Sequence, residues 1–300
     1  MGSVGKNISK SRASDLVSKL DKYDKRYSDD IVRAVEVFHR EFPDFPEIKS
    51  IVLNENLDGI AGMNGLGMLS LNPKYLSDYD AEVADVVKDA NKGWLAGNGD
   101  FSNTVVSHEL GHHLDKQFEI FVTARAPEVF TQANVMDEVS AKAYSEVFGR
   151  TVNVGDVINE PAYNGSAIMF KIDGKGYSTN DLLYRANGLS GIVVPKAISN
   201  IQNNWQKFGF KSRPTERELV KSLSGYASWH GERGSSAYHT EVMAEAYSNY
   251  RSFGGGSNVL AQEIMRITKS VYRQVASNRE NSYRTHIDKV VRAFSNPKNR

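Results

Sequence analysis

Apolar positions along the chain change their period several times, and each change predicts an element. Residues 29–42 (DDIVRAVEVFHREF) put Ile31, Val35 and Phe38 on one helical face, and Pro43 and Pro46 end the run. Residues 48–53 (IKSIVL) read as a buried strand, and 68–72 (MLSLN) as a second strand stopped by Pro73. A glycine-rich stretch, 59–67, lies between them. Residues 78–92 predict a helix or a covering loop, and 92–100 (KGWLAGNGD) a flexible connection. Ser102 is placed to N-cap a long helix over 103–124, which Pro127 closes, and a second helical pattern covers 127–148.

After Gly149 the stretches TVNVGDV and AIMFKIDGKGYS predict short strands, with Asp173-Gly174 as a hairpin turn. Pro214-Thr215 opens a helix reaching Ser222 or Leu223, and 224–239 reads as a loop rich in small residues. Thr240 then caps a helix through Tyr250, and 258–294 is helical in pattern. Residues 1–30, rich in Ser, Lys and Asp, predict a loose arm or a marginal helix. Strands mixed with helices in this order make an α+β protein.

Composition narrows the chemistry. The 300 residues are 40% hydrophobic and 24% charged with net charge +1, so the global balance calls for neither nucleic acid nor an anionic membrane. No apolar run approaches a bilayer span, and the start, MGSVGKNISKSRASD, lacks the apolar core of a secretory signal. With no cysteine, thiolate sites and disulfides are excluded, and any metal must be held by His, Asp or Glu.

One motif supplies such ligands. His108-Glu109-Leu110-Gly111-His112 is HExxH within the predicted long helix, a pattern that a shuffled chain of this composition carries about 0.01 times. At about 100° per residue, His112 falls roughly 40° from His108 and one turn along, so both imidazoles can grip one tetrahedral ion. Glu109 falls beside the pair, where a carboxylate can take a proton from a water that the ion has acidified. Asp115 points the same way one turn on, as an acceptor for a ligand imidazole or as a plain surface acid. His113 points away and reads as a surface or packing residue.

A catalytic zinc site takes a third protein ligand and leaves one position open. Glu241 is the leading candidate: Glu241 and Glu245 stand at i,i+4 on an otherwise apolar helix, so one can ligate while the other bonds a ligand histidine. Glu138 is the rival, at the head of a comparable segment but with Lys142 where Glu245 would be.

HELGHHLD followed far downstream by EVMAEAY resembles the HExxH…ExxAEAF arrangement of glutamate-zincin metallopeptidases, a group including the anthrax lethal factor catalytic domain and many phage-encoded metallopeptidases. The resemblance covers about residues 48–250. It implies a zincin-like fold, a mixed sheet packed on the active-site helix, with helical extensions. It implies zinc on His108, His112 and Glu241, and peptide substrate held extended on an edge strand, expected at 68–72. It also implies a tyrosine for the oxyanion, for which Tyr226 and Tyr238 are the candidates.

The expected organisation is an N-terminal arm and helix over 1–47, a catalytic domain over 48–258 with an insertion near 150–215, and a helical extension over 259–300. The expected function is a zinc metalloendopeptidase acting on peptides or proteins, with Glu109 as general base. The alternatives are a zincin-like structural or cargo protein of a phage particle, its peptidase idle or lost, and a toxin or effector peptidase. The expected setting is the bacterial cytoplasm or a phage virion. Residues 259–300 carry nine Lys/Arg against three Asp/Glu, which suits either an acidic partner or an ordinary basic helical surface. Neither a membrane nor nucleic acid is an expected partner.

Overall fold

The computed structural model describes residues 16–64, 67–123, 130–138, 141, 145, 151–162, 169–178, 181–182, 186 and 188–277. It is an α+β fold, mostly helical with small sheets. Helix α1 (Lys25–Glu41) starts a turn earlier than the apolar pattern implies, because the Asp24 side chain accepts from Arg26 N at 2.9 Å and caps it. Tyr27, Ile31, Val35 and Phe38 are buried, so this helix belongs to the main core.

Strands β1 (Ser50–Leu53), β2 (Ala61–Met63) and β3 (Met68–Leu71) form one sheet in the order β1-β3-β2. β3 runs parallel to β1 and antiparallel to β2. The expected edge strand at 68–72 is therefore the central strand. The glycine-rich stretch supplies the missing neighbour, and Ala61-Gly62-Met63 is too short and too weakly patterned to announce itself. Helix α2 (Tyr79–Asn91), capped by Asp78, buries only Val86 and covers the surface.

The predicted long helix is broken into three parts. A π turn (Ser102–Val106) leads into α3 (Ser107–Lys116), and α4 (Phe118–Thr123) follows a break at Gln117. Side chains tie the π turn to the segments on either side. Thr104 Oγ1 accepts from Gly99 N at 3.0 Å, and Ser248 Oγ donates to Asn103 O at 3.1 Å.

The helix expected over 127–148 is corrected: β4 (Phe130–Val135) is a strand, antiparallel to β5 (Val157–Ala162). Phe, Thr and Val favour the pleated state once a partner strand exists, and no local period reveals that partner. Helical backbone resumes at Glu138. The turn between β6 (Phe170–Ile172) and β7 (Lys175–Tyr177) is as predicted, with φ of 47° at Asp173 and 81° at Gly174.

Helices α5 (Ser190–Asn203), α6 (Glu216–Leu223), α7 (Gly225–Glu232), α8 (Tyr238–Phe253) and α9 (Val259–Ser277) complete the fold. Thr215 and Glu218 form a capping box on α6, at the predicted start. The expected loop at 224–239 instead contains α7, because Ser224 accepts from Ala227 N at 3.0 Å and caps it. α8 begins before Thr240, which sits inside its first turn. The helical pattern beyond Ser277, and residues 1–15 of the expected arm, lie outside the described residues. The main core runs from α1 through α9, where Phe121 and Tyr272 stack at 5.2 Å, and Met136, Ala141 and Val152 form a small separate cluster. Among the described residues no helix is long and apolar enough to cross a membrane.

Candidate metal centre

Two helices far apart in sequence make this site by crossing closely. A Cβ on Gly111 of α3 would stand 2.6 Å from Ala244 Cα of α8, a distance that no side chain tolerates. Glycine facing alanine lets the backbones approach, and the four ligand-type side chains at 108, 112, 241 and 245 flank that crossing. The sequence spacing thus fixes His108 against His112, and the Gly111–Ala244 crossing fixes Glu241 against both.

The resulting triangle is small. His108 Nε2 lies 3.1 Å from His112 Nε2, and Glu241 Oε2 lies 3.3 Å and 3.4 Å from these two atoms. For a tetrahedral ion with bonds of about 2.0–2.1 Å, neighbouring donors stand about 3.3 Å apart. All three edges match that spacing. Glu241 Oε2 and His112 Nδ1 are buried and have no hydrogen-bond partner among the described residues. Two imidazoles and a carboxylate this close need a cation between them, a shared proton or a metal ion. Burial by itself lowers the His108 pKa, yet the carboxylates of Glu241 and Glu245 hold it well above the ordinary imidazole value. Burial likewise pushes Glu241 up, and His108 and His112 outweigh it, holding the carboxyl far below the usual range. His108, His112 and Glu241 are the one group of metal-ligand type found among the described residues.

Around the triangle, Glu245 is fully buried and bridges two elements. Its Oε1 lies 2.9 Å from His108 Nδ1, while Oε2 accepts from Ala96 N at 2.6 Å. Asn249, one turn on, donates to Ala96 O at 2.6 Å. The connection at 92–100, read from sequence as flexible, is therefore pinned to the helix that carries Glu241.

Asp115 has a different job from the one expected. Rather than receiving a ligand imidazole, it accepts from Ser190 N (2.6 Å), Ser190 Oγ (2.9 Å) and Thr240 Oγ1 (3.1 Å). It ties α3 to the starts of α5 and α8. Burial raises its pKa despite those three donors. Gly188 has φ of 116°, and a Cβ there would lie 2.9 Å from Asp115 Oδ1, so the chain passes too close for a side chain. His113 is the packing residue anticipated. It is buried beside Phe38 and Phe45, with Nε2 donating to Pro46 O at 2.7 Å, and burial lowers its pKa to about 4.

Glu109 is buried next to His108, and its Oε2 has no hydrogen-bond partner among the described residues. The Tyr226 ring packs edge-on to His108 at 5.9 Å. Burial, then the charges of Glu241, Glu109 and Glu245, raise the Tyr226 pKa, so its hydroxyl stays a donor. Tyr238 donates instead to Glu216 at 2.9 Å. Glu138 is exposed, outside the triangle. Sequence reasoning missed Ser190, Trp94 and Ala96, which meet the site only through tertiary contacts and carry no local signal.

Comparison of the chain with protein-family models, with curated proteins and with solved structures returned no match.

Proposed function

We infer that the protein is a zinc-dependent metalloendopeptidase, on the observation that His108, His112 and Glu241 present three donor atoms at 3.1–3.4 Å with Glu109 beside them. A zinc ion bound there supplies Lewis acidity and acidifies water to a pKa of about 7. The free Oε2 of Glu109 takes the proton of the attacking water and returns it to the leaving amine. Tyr226, protonated and beside His108, donates to the developing oxyanion; Tyr238, engaged by Glu216, does not take that role. Glu245, anchored on Ala96 N, fixes the His108 ring.

The sheet edge suited to an extended peptide is β2, the antiparallel outer strand, which Lys116 of α3 holds by donating to Met63 O at 2.7 Å. A bacterial or phage setting rests on the family resemblance alone. The test is cleavage of casein and of a mixed peptide library. Wild type is expected to cleave, with loss on chelation and recovery on adding zinc, while Glu109→Gln retains zinc and is inert. Equal cleavage by wild type and Glu109→Gln would overturn the reading.

A further inference from the structure

A run of aromatic rings leads from the ligand triangle to the surface. It starts at His108, continues to Tyr226 at 5.9 Å, and from there branches to Trp94 at 5.8 Å and to Trp229 at 6.5 Å. Tyr226 and Trp229 are almost parallel, at 13°. Trp94 is 39% exposed and Trp229 37%. Tryptophans left this open beside a reactive centre represent apolar surface that folding has not covered.

The wall is held in the same frame as the ligands. Gly225 N donates to Gly93 O at 2.7 Å and Tyr226 N to Trp94 O at 3.0 Å, so α7 and the Trp94 segment form one unit. A Cβ on Gly225 would lie 3.0 Å from the Trp94 ring, which explains a glycine at the head of that helix. Two residues beyond Trp94, Ala96 N donates to Glu245, the partner of His108. The Arg233 guanidinium lies 4.1 Å over the Trp229 ring and stiffens the outer end.

We propose that Trp94 and Trp229 form a subsite that selects substrates with an aromatic or large aliphatic side chain close to the scissile bond. This rests on the peptidase reading of the same site. The groups in ring contact with Trp229 besides Tyr226 are the His230 imidazole, whose Nδ1 lies 3.2 Å from Ser235 Oγ, and the Arg233 guanidinium, so the exposed part of the wall is mainly indole surface. Exposed indole surface beside the ligand triangle suits the apolar side chain of a bound peptide.

The test is binding, which needs no turnover. Fluorescein-labelled decapeptides that differ only in a central Phe, Leu or Ala are titrated into Glu109→Gln protein, read by anisotropy. The Phe and Leu peptides are expected to bind about tenfold tighter than the Ala peptide. Trp94→Ala and Trp229→Ala, each with an unchanged melting profile, should bring the three peptides within about twofold. Trp229→Gln, which keeps length and helical preference, serves where an alanine variant fails to fold. Equal binding of all three peptides to the parent, or a preference that survives every tryptophan variant, would overturn the subsite. So would tight binding of a chito-oligosaccharide in place of the peptides. Cleavage is scored separately: aromatic preference without turnover sinks the peptidase reading alone, and turnover without preference sinks the subsite alone.

Discussion

Replacing Gly111 with alanine adds one methyl at the point where α3 and α8 touch. That methyl would start 2.6 Å from Ala244 Cα, whereas ordinary contact begins near 3.4 Å, so the helices must part by about 0.8 Å. Overpacking of this kind costs roughly 1–3 kcal/mol, partly offset by up to about 1 kcal/mol of better helix propensity. In the metal-free protein the crossing can relax, and the stability loss should be small, about 1 kcal/mol. Relaxation carries Glu241 away from His108 and His112, widening edges that now measure 3.3 Å and 3.4 Å. Donor distances tolerate only about 0.2 Å, so binding zinc must restore the clash. The strain then reappears as lost affinity, about tenfold for each 1.4 kcal/mol. Competition against a chromogenic chelator, with thermal melts of both proteins free of metal, measures the two effects. The expected result is zinc affinity weaker by about tenfold or more with a much smaller change in melting. Wild-type affinity in Gly111→Ala would refute the claim that the helix crossing sets the ligand triangle.

Asp115→Ala should destabilise the fold by about 2–4 kcal/mol in denaturant titration, since Ser190 N–H, Ser190 Oγ and Thr240 Oγ1 lose their shared acceptor; a change below about 0.5 kcal/mol would contradict this. His113 titrates near pH 4 in the fold against 6.5 in the unfolded chain, so the unfolded state binds more protons between those values. Its contribution is complete above pH 6.5 and is lost as the pH falls through about 4. Relative to His113→Phe, metal-free wild type should lose about 3 kcal/mol over that window, and parallel pH profiles would refute the assignment. Tyr226→Phe should lower kcat/KM on a peptide substrate by about 100-fold with zinc content unchanged, while Tyr238→Phe changes it little; the reverse order would move the oxyanion role to Tyr238.

The legible parts of the site were those set by one helix. His108, Glu109 and His112 follow from residue types at helical spacing, and the pair Glu241 and Glu245 follows from two acids on an apolar helical face. What remained hidden depends on which surfaces meet. The helical wheel puts Asp115 on the ligand side of α3, but its partners, Ser190 and Thr240, arrive from helices 75 and 125 residues away. The edge strand is not legible in the sequence because three residues, Ala61-Gly62-Met63, pair without any alternation strong enough to read. The β4 sequence reads as helical because its partner, β5, lies beyond any local window. The 92–100 segment looked flexible by its glycines, whereas Gly97 is required by the Thr104 side chain, which a Cβ there would meet at 2.2 Å.

Zinc content of the purified protein tests the central claim most directly, measured together with Glu241→Ala and Glu138→Ala. The geometry of the three donors predicts close to one zinc per chain in wild type and in Glu138→Ala, and loss of most of it in Glu241→Ala. Wild type that takes up no zinc when zinc is supplied, or Glu241→Ala that keeps a full equivalent, would contradict it.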